Sequence, residues 1–330
     1  MDPLVTRYLS AAEVAAAMPP VEERLALAER TMTALVADAE LPPKIGVHPR
    51  PPQSFAHAMP AALRDPRGAD LLGLKWVTGF PENRARGLPA VNAVVILNDA
   101  STGVPRAILD GGVITAQRTA AVSGVAIARF GPRELGRSPR AAIIGAGVQG
   151  HSHLEVIAYL LPGVELSVFD VNAGRAADLA DAARVAPGIG ASSAAGSARE
   201  AVSDADVVIT AASFTDPEHR QSMTGDWLTP DALVVPVDYA TMCSADVARD
   251  ARLFLVDDRG QFVANRDAGQ FDGYPDAGAT LGEAILAGTQ RPSSGRVVVT
   301  HLGVGLADVV FADAILGRAE AAGLGTLLPP

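Results

Sequence analysis

The sequence predicts an α/β protein in which a domain built around a parallel sheet follows a domain of the α+β type. Three observations predict this fold. A glycine-rich loop at residues 145–150 joins a short apolar strand to a helix. Strand-like and helix-like pieces alternate after residue 131, as in a parallel sheet covered by helices. Short strand-like segments separated by turns precede residue 130, as in antiparallel hairpins.

The first domain, residues 1–130, is predicted to contain both helices and antiparallel strands. Apolar residues at helical spacing predict one short and one longer helix between Ala11 and Asp38. Gly131 and Pro132 would end the last helix, and the polar linker after them marks the domain boundary. The later elements predicted here are strands Leu71 to Phe80, Val91 to Asn98 and Pro105 to Asp110, and helix Thr115 to Phe130.

The second domain, residues 131–305, is predicted to be doubly wound, with helices on both faces of a parallel sheet. Its predicted strands are Ala141 to Ile144, Glu165 to Phe169, Asp206 to Thr210, Leu233 to Val237, Leu253 to Val256 and Val297 to Thr300. Helices are predicted between them, including Val148 to Leu161 and Ala173 to Arg184. A final helix, Leu306 to Ala322, is expected to return with residues 306–330 to the first domain.

The composition narrows the class of protein. The 330 residues carry a net charge of −10, without a run of Lys or Arg suited to nucleic acid. Cys243 is the only cysteine, so no disulfide framework and no zinc site is expected. The N-terminal residues lack the apolar core of a signal peptide, and no apolar run has the length of a membrane span. We therefore expect a soluble, cytoplasmic protein that binds neither nucleic acid nor a membrane.

The loop Gly145-Ala146-Gly147-Val148-Gln149-Gly150 has the context of a Rossmann dinucleotide site, because it follows a strand and opens a helix. Gly145 would permit the tight turn, Gly147 the approach of a pyrophosphate, and Gly150 close packing of helix on strand. Asp170 ends the next strand, where a carboxylate binds the ribose of NAD and repels the 2′-phosphate of NADP. We predict NAD rather than NADP, and include Thr210 among the cofactor-binding residues.

Lysine occurs only at Lys44 and Lys75, whereas arginine fills the other basic positions. One interpretation is that a surface accepts either cation. The other is that a compact ammonium group is needed where the planar fork of arginine does not fit. Lys75 favours the second interpretation, because it lies inside an apolar, strand-like run.

Several ordered motifs resemble the ornithine cyclodeaminase/mu-crystallin family, and the likeness runs from about Leu41 to the C-terminus. They are Gly73-Leu74-Lys75-Trp76-Val77, Phe80-Pro81-Glu82-Asn83, Gly87-Leu88-Pro89, Asp110-Gly111, Thr115-Ala116-Gln117-Arg118-Thr119-Ala120-Ala121 and Ile144-Gly145-Ala146-Gly147-Val148-Gln149. The resemblance implies a homodimer, in which the first domain binds the substrate and forms the dimer through a barrel-like sheet, and the Rossmann domain binds the nicotinamide cofactor.

The resemblance also implies chemistry at the Cα of an amino acid, where hydride moves to or from a nicotinamide and an imine is the oxidised form. The positions that match the family's basic cluster for the substrate carboxylate are Lys44, Lys75 and Arg118. Thr119 matches a position that approaches the cofactor. For Arg118, the alternative interpretation is a helix-surface arginine paired with a nearby acid.

Two positions depart from the cyclodeaminases of that family. His57 stands where those enzymes carry a glutamate, two residues before the methionine of Met59-Pro60. Ala240 stands where they carry an aspartate, six residues before Asp246-Val247, and the nearest carboxylate is Asp238. His57 and Asp238 are both candidate proton donors, with Lys75 a third catalytic residue. Alternatively, His57 is structural and Asp238 caps a turn.

The resemblance, together with these departures from the cyclodeaminases, therefore implies an NAD-dependent imine reductase or amino-acid dehydrogenase that acts on a small amino or imino acid. One alternative is an ornithine cyclodeaminase. The other is a mu-crystallin-like binding protein that holds the nucleotide and a small ligand without turnover. His151 and His153 open the Rossmann helix and are predicted to be structural.

Overall fold

The structure, a computed structural model, describes residues 5–51, 53–133 and 135–329. Its helices are α1 (Ala11–Ala16), α2 (Val21–Ala34), α3 (Gly111–Phe130), α4 (Val148–Leu160), α5 (Ala173–Arg184), α6 (Ala198–Val202), α7 (Ala245–Arg249), α8 (Arg259–Asp267), α9 (Leu281–Leu286) and α10 (Gly305–Ala321). Its strands are β1 (Thr6–Leu9), β2 (Ala39–Glu40), β3 (Ile45–Val47), β4 (Phe55–Leu63), β5 (Leu71–Gly79), β6 (Val91–Asn98), β7 (Pro105–Asp110), β8 (Arg140–Ile144), β9 (Val164–Phe169), β10 (Ile189–Ala194), β11 (Val207–Thr210), β12 (Leu233–Pro236), β13 (Leu253–Val256), β14 (Ala279–Thr280), β15 (Val297–Thr300) and β16 (Thr326–Leu328).

These elements form two compact units. The first comprises the chain up to Arg118 together with the residues from Gly303 onward, and the second runs from Thr119 to Leu302. The units divide within α3, whereas the domain boundary predicted from the sequence is the linker after that helix.

The first unit contains a mostly antiparallel sheet in the order β16-β1-β7-β6-β5-β4-β2, with β3 also paired to β4. Only β1 and β7 of these pairs run parallel. Helix α10 packs on the central strands β4, β5 and β6. Two glycines permit this contact: a Cβ on Gly73 would lie 2.9 Å from the side chain of Val309, and one on Gly305 would lie 2.4 Å from the carbonyl oxygen of Met59. The helix therefore lies directly on the sheet.

The pleat of this sheet separates a covered face from an open one. Lys75 pairs with Met59 of β4 and Val95 of β6, and all three are buried on the face that α10 covers. Trp76 pairs with Ala58 of β4, and Ala58 pairs in turn with Ile45 of β3. Each of these residues is next to one on the covered face or its register partner, so their side chains project from the opposite face. There Ile45 and Trp76 are largely exposed. A side chain at position 75 thus enters the interior of the unit.

The second unit contains a parallel sheet in the order β10-β9-β8-β11-β12-β15-β13-β14. The chain extends from β8 in one direction through β9 and β10, and later returns to β11 on the other side of β8. This reversal of strand order opens a crevice at the carboxyl ends of the strands, where α/β proteins bind ligands. The predicted α/β fold class is confirmed, and the strands predicted for this region are present.

The sequence analysis did not predict β4, which carries four alanines and a proline (FAHAMPAAL), residue types that are depleted in strands. Pro60 is accommodated because β3 pairs with residues 56–58 and β2 with residues 62–63. The proline, which has no N–H to donate, falls in the gap between these two pairings.

Candidate functional site

The glycine loop between β8 and α4 has the geometry of a nucleotide-binding turn. Gly145 adopts a φ of +104°, and a Cβ there would lie 2.3 Å from the carbonyl oxygen of Ala211. A Cβ on Gly150 would lie 2.3 Å from the carbonyl oxygen of Gly145, so helix and strand pack closely only with glycine. A Cβ on Gly147, in contrast, would meet open space. Each glycine therefore has the environment that its predicted role requires.

Helix α4 begins at Val148 with Gly147 as its N-cap, and no side chain caps its first turn. The first N–H groups of a helix lack intrahelical partners, and together with the helix dipole they favour an anion. Val148 and Gln149 belong to this first turn, and Val148 is largely exposed. The open space at Gly147 and the uncapped N-terminus fit the pyrophosphate of a dinucleotide.

Asp170 follows β9 and is bonded to the loop itself. Its Oδ2 accepts a hydrogen bond from the N–H of Ala146 at 2.9 Å, and its Oδ1 accepts one from the N–H of Asn172 at 2.8 Å. The carboxylate is thus fixed beside the glycine turn. Each carboxylate oxygen has a second lone pair, so the group can still accept hydrogen bonds from ribose hydroxyls.

Asp238 lies at the carboxyl edge of the same sheet, two residues after β12 ends. It is buried, and its Oδ2 accepts a hydrogen bond from the N–H of Ala212 at 3.2 Å. Burial raises the pKa of Asp238 to about 6, although that hydrogen bond opposes the rise. Tyr239 and Ala240 follow with φ values of 56° and 60°, a left-handed conformation that is strained for such residues. The turn therefore holds a carboxyl group that carries a proton at mildly acidic pH.

Three charged side chains meet inside the first unit. Lys75 Nζ lies 2.7 Å from Asp308 Oδ2, and Arg118 Nε donates a hydrogen bond of 3.1 Å to Asp308 Oδ1. Asp308 and Lys75 are almost inaccessible to water, with 0% and 1% of their side chains exposed. Burial lowers the pKa of Lys75 to about 7, Asp308 opposes the shift, and Arg118 adds to it. One carboxylate is thus shared by two cations.

The guanidinium group of Arg118 occupies the space that a side chain at Gly303 would need. A Cβ on Gly303, which has a φ of +81°, would lie 2.3 Å from Arg118 Nη1. Of the alternative predicted for Arg118, a helix-surface arginine paired with a nearby acid, the structure shows the pairing, with Asp308, but the arginine is buried. Because Nε is engaged by Asp308, its two Nη groups are the ones suited to a bidentate contact with another carboxylate.

His57 and Lys44 belong to the same region of this unit. His57 pairs with Val77 of β5, two residues from Lys75, so the histidine and that lysine project from the same face. Lys44 precedes β3, whose Gly46 pairs with His57. The ring of His57 stacks on Phe55 with 4.6 Å between ring centroids. Burial, Lys44, His48 and Lys75 together lower the pKa of His57 to about 4.

Two groups of predicted residues are therefore each assembled within one unit. Lys44, Lys75, Arg118 and His57 lie in the first. The glycine loop, Asp170, Thr210 and Asp238 lie in the second, where Thr210 is buried and pairs with Pro236 of the neighbouring strand. Thr119, the first residue of the second unit, is buried on α3.

The sequence analysis missed Asp308, although the sequence carried a signal for it. The segment Gly305-Leu306-Ala307-Asp308-Val309-Val310-Phe311 contains a single carboxylate in an otherwise apolar stretch at the start of the final helix. Such an acid is buried only when it is paired, so its partner had to be a buried cation.

A buried chain of hydrogen bonds was also missed. His153 Nδ1 lies 2.6 Å from the carbonyl oxygen of Gln149, and its Nε2 lies 2.8 Å from Ser123 Oγ, which lies 2.9 Å from His301 Nε2. A carbonyl only accepts, so Nδ1 of His153 donates, and the Ser123 hydroxyl then donates to Nε2 and accepts from His301. Burial lowers the pKa of His153 to about 4. His153 is thus structural, as predicted, and anchors the first turn of α4.

Comparison with known proteins agrees with this geometry. The family model "Ornithine cyclodeaminase/mu-crystallin family" matches residues 5–321, and the chain belongs to this family. A full-length relative is the nodulation efficiency protein NfeD of Rhizobium meliloti, which is 34% identical over 332 residues that cover 98% of each chain.

Two solved structures are similar over nearly the whole length. The Δ1-pyrroline-2-carboxylate reductase of Thermococcus litoralis, in complex with NADH and L-proline, is 26% identical with a TM-score of 0.83, and the match covers 97% of this chain and 99% of that one. An archaeal alanine dehydrogenase dimer with bound NAD is 25% identical with a TM-score of 0.83, and the match covers 98% and 99%. Among the residues that the structure describes, none of the helices is long and apolar enough to cross a membrane.

Proposed function

We propose that this protein is an NAD(H)-dependent oxidoreductase that reduces a small 2-imino acid to the amino acid or catalyses the reverse oxidation. The observation that carries the proposal is the buried group of Lys75, Arg118 and Asp308, in which two cations share one carboxylate. The surplus positive charge suits a second carboxylate, that of the substrate. The reductase and the dehydrogenase with similar structures support this reaction class.

In this proposal Lys75 and Arg118 hold the carboxylate next to the substrate's Cα, and Lys44 contributes a further cation to the substrate-binding region of the same unit. An ion pair in a site largely closed to water fixes the orientation of the adjacent Cα, and such positioning can lower a barrier by several kcal/mol. Asp308 forms an ion pair with each of the two cations, so both side chains keep the orientation in which they would bind the substrate. The second unit would hold the dinucleotide through its glycine loop and Asp170, and bound NADH supplies the hydride.

Reduction of an imine also needs a proton, and the pKa values separate the candidates. A group with a pKa near the working pH is the most effective acid. The pKa of Asp238 is about 6 and that of Lys75 about 7, whereas that of His57 is about 4. We infer that Asp238 or Lys75 donates the proton, and that His57 has another role.

Two positions argue against an ornithine cyclodeaminase. Ala240 is fully buried in the strained turn after β12 and carries no carboxylate. Burial lowers the pKa of His57 most, and Lys44, His48 and Lys75 lower it further; the positive charge of the two lysines would repel the second amine of ornithine. The groups that would manage a diamine are therefore missing.

We further propose that two copies associate through the open face of the first sheet. Ile45, Val47 and Trp76 are 59%, 58% and 41% exposed on that face. A contiguous apolar surface of this kind usually marks an interface. The similar alanine dehydrogenase is a dimer, and a homodimer is what the family resemblance implies. We place the enzyme in the cytoplasm, where its single, buried cysteine stays reduced.

The proposed reaction is tested by following a label. The purified protein is incubated with NADH deuterated at C4 of the nicotinamide and with imines formed from 2-oxo acids and ammonia, or with a cyclic 2-imino acid. Mass spectrometry should find one deuterium at the Cα of the amino-acid product. Incubation with L-ornithine and NAD should give no proline. Robust proline formation would establish the cyclodeaminase, and an absence of turnover with every substrate would establish a binding protein.

A further inference from the structure

We propose that the substrate carries a second carboxylate on its side chain, and that His57, with Lys44 and His48, recognises it. The inference rests on the proposed function and names the substrate class: a 2-imino dicarboxylate and the corresponding acidic amino acid. It follows from the placement of these three side chains on the sheet of the first unit.

The register of three neighbouring strands brings the groups together. His57 of β4 and Lys75 of β5 lie on the same face, because His57 pairs with Val77 and Met59 pairs with Lys75. On the other side of β4, Gly46 pairs with His57, and Lys44 and His48 are the residues that directly precede and follow β3, near enough to act on the charge of His57. Lys44 and His48 therefore flank the imidazole, and Lys75 lies diagonally beyond it.

Gly46 makes room for the histidine. A Cβ at this position would lie 2.9 Å from Cδ2 and 3.2 Å from Nε2 of the His57 ring, so a larger residue at position 46 would require the imidazole to shift. Phe55 stacks on the ring at a centroid distance of 4.6 Å and limits its rotation. The ring is thus held in place between a glycine and an aromatic side chain, half-buried beside two basic residues.

Charge identifies the ligand that fits this arrangement. The α-carboxylate of the substrate is assigned to Lys75 and Arg118, which already share Asp308. The charged and titratable groups that act on His57 are Lys44 and His48 beside β3 and Lys75 on β5, and all three oppose its protonation. An amine on the substrate side chain would add to this repulsion. A carboxylate would instead attract every one of these groups, and would allow His57 to take up a proton and form a charged hydrogen bond.

The test compares substrates that differ in charge and hardly at all in shape. Initial rates of NAD reduction are measured with L-aspartate against L-asparagine, and with L-glutamate against L-glutamine. We expect kcat/KM for at least one acid to exceed that of its amide by at least about tenfold. In His57→Gln this ratio should fall towards one, and in His57→Glu it should fall further. His219→Gln, which changes a histidine with 68% of its side chain exposed, should keep the wild-type ratio.

The outcomes separate this inference from the proposed function. Turnover of L-alanine, L-proline or the amides with no preference for the acids would overturn the inference and leave the reductase assignment intact. A preference for the acids that His57→Gln does not change would overturn the role of His57. If neither amino acids nor imines react with the cofactor, the proposed function fails and the inference fails with it.

Discussion

Replacing Asp308 with asparagine tests the buried charge group most directly. Asparagine keeps the size of the side chain and removes its charge, so Lys75 and Arg118 would face each other without a counterion. Both cations are buried, with 1% and 6% of their side chains exposed, and neither can turn out to solvent without leaving the core. Asp308→Asn should therefore destabilise the protein far more than an ordinary surface substitution.

The size of the effect follows from the burial of these charges. Removing one partner of a fully buried ion pair costs about 3–5 kcal/mol in the free energy of unfolding. Lys75 can lose its proton easily, because its pKa is already about 7, and this relieves part of the repulsion. We therefore expect Asp308→Asn to lower the free energy of unfolding by about 3 kcal/mol at pH 7, the lower end of that range. Lys75→Met, combined with Asp308→Asn, should recover part of it, since only one buried cation then remains.

The assay is equilibrium unfolding in urea, followed by circular dichroism. Asp313→Asn is the matched control, because Asp313 lies on the same helix and pairs with Arg106 at 3.2 Å on the surface. That variant should change the free energy of unfolding by no more than about 0.5 kcal/mol. If Asp308→Asn were as stable as Asp313→Asn, the assignment of Asp308 as the counterion of both cations would be wrong.

Three further predictions concern the second unit. Gly150→Ala should weaken NADH binding at least about tenfold, measured by calorimetry, because its Cβ would press on the carbonyl oxygen of Gly145; unchanged affinity would show that the loop does not bind the nucleotide. The wild-type protein should bind NADH more tightly than NADPH, and Asp170→Asn should narrow the difference; equal affinities in the wild type would contradict the role of Asp170. Asp238→Asn should abolish most imine reduction if Asp238 is the proton donor, yet stabilise the fold by up to about 3 kcal/mol at pH 7, which corresponds to a rise of the pKa from 3.8 to about 6. The pKa of Asp238 is raised on folding, so its burial costs stability as pH rises through about 6, and thermal unfolding should show the gain of the variant shrinking towards pH 4.

Much of the fold could be predicted from the sequence, because the sequence patterns that indicate its strands and helices are local. Short β-branched strands alternating with helices predicted the parallel sheet, and the glycine loop identified β8 and α4 with their turn. The missed strands lack such a pattern. Strand β4 is rich in alanine, and β1 and β16 pair with each other from opposite ends of the chain. Edge pairings of this kind depend on contacts that no sequence window contains.

The candidate functional site, like the fold, could be predicted from the sequence only in part. Lys75 and Arg118 were found from sequence, but their common partner Asp308 lies 190 residues from Arg118. Likewise the pairing of Gly46 with His57 depends on strand register, which sets the groups around the imidazole. The family resemblance supplied Lys75 and Arg118 as candidates, whereas the tertiary structure was needed to show that both pair with the same carboxylate.

The pKa values give this protein an unusual response to pH. Histidine is ordinarily the side chain that titrates near neutrality. Here the pKa values of His57 and His153 are about 4, so both imidazoles are neutral throughout the physiological range. Two other buried groups, the carboxylic acid of Asp238 and the ammonium of Lys75, are poised to change charge near pH 6 and pH 7. A rise in pH through this range would thus remove a proton from each without altering His57 or His153, and a spectroscopic search for titrating imidazoles would detect neither Asp238 nor Lys75.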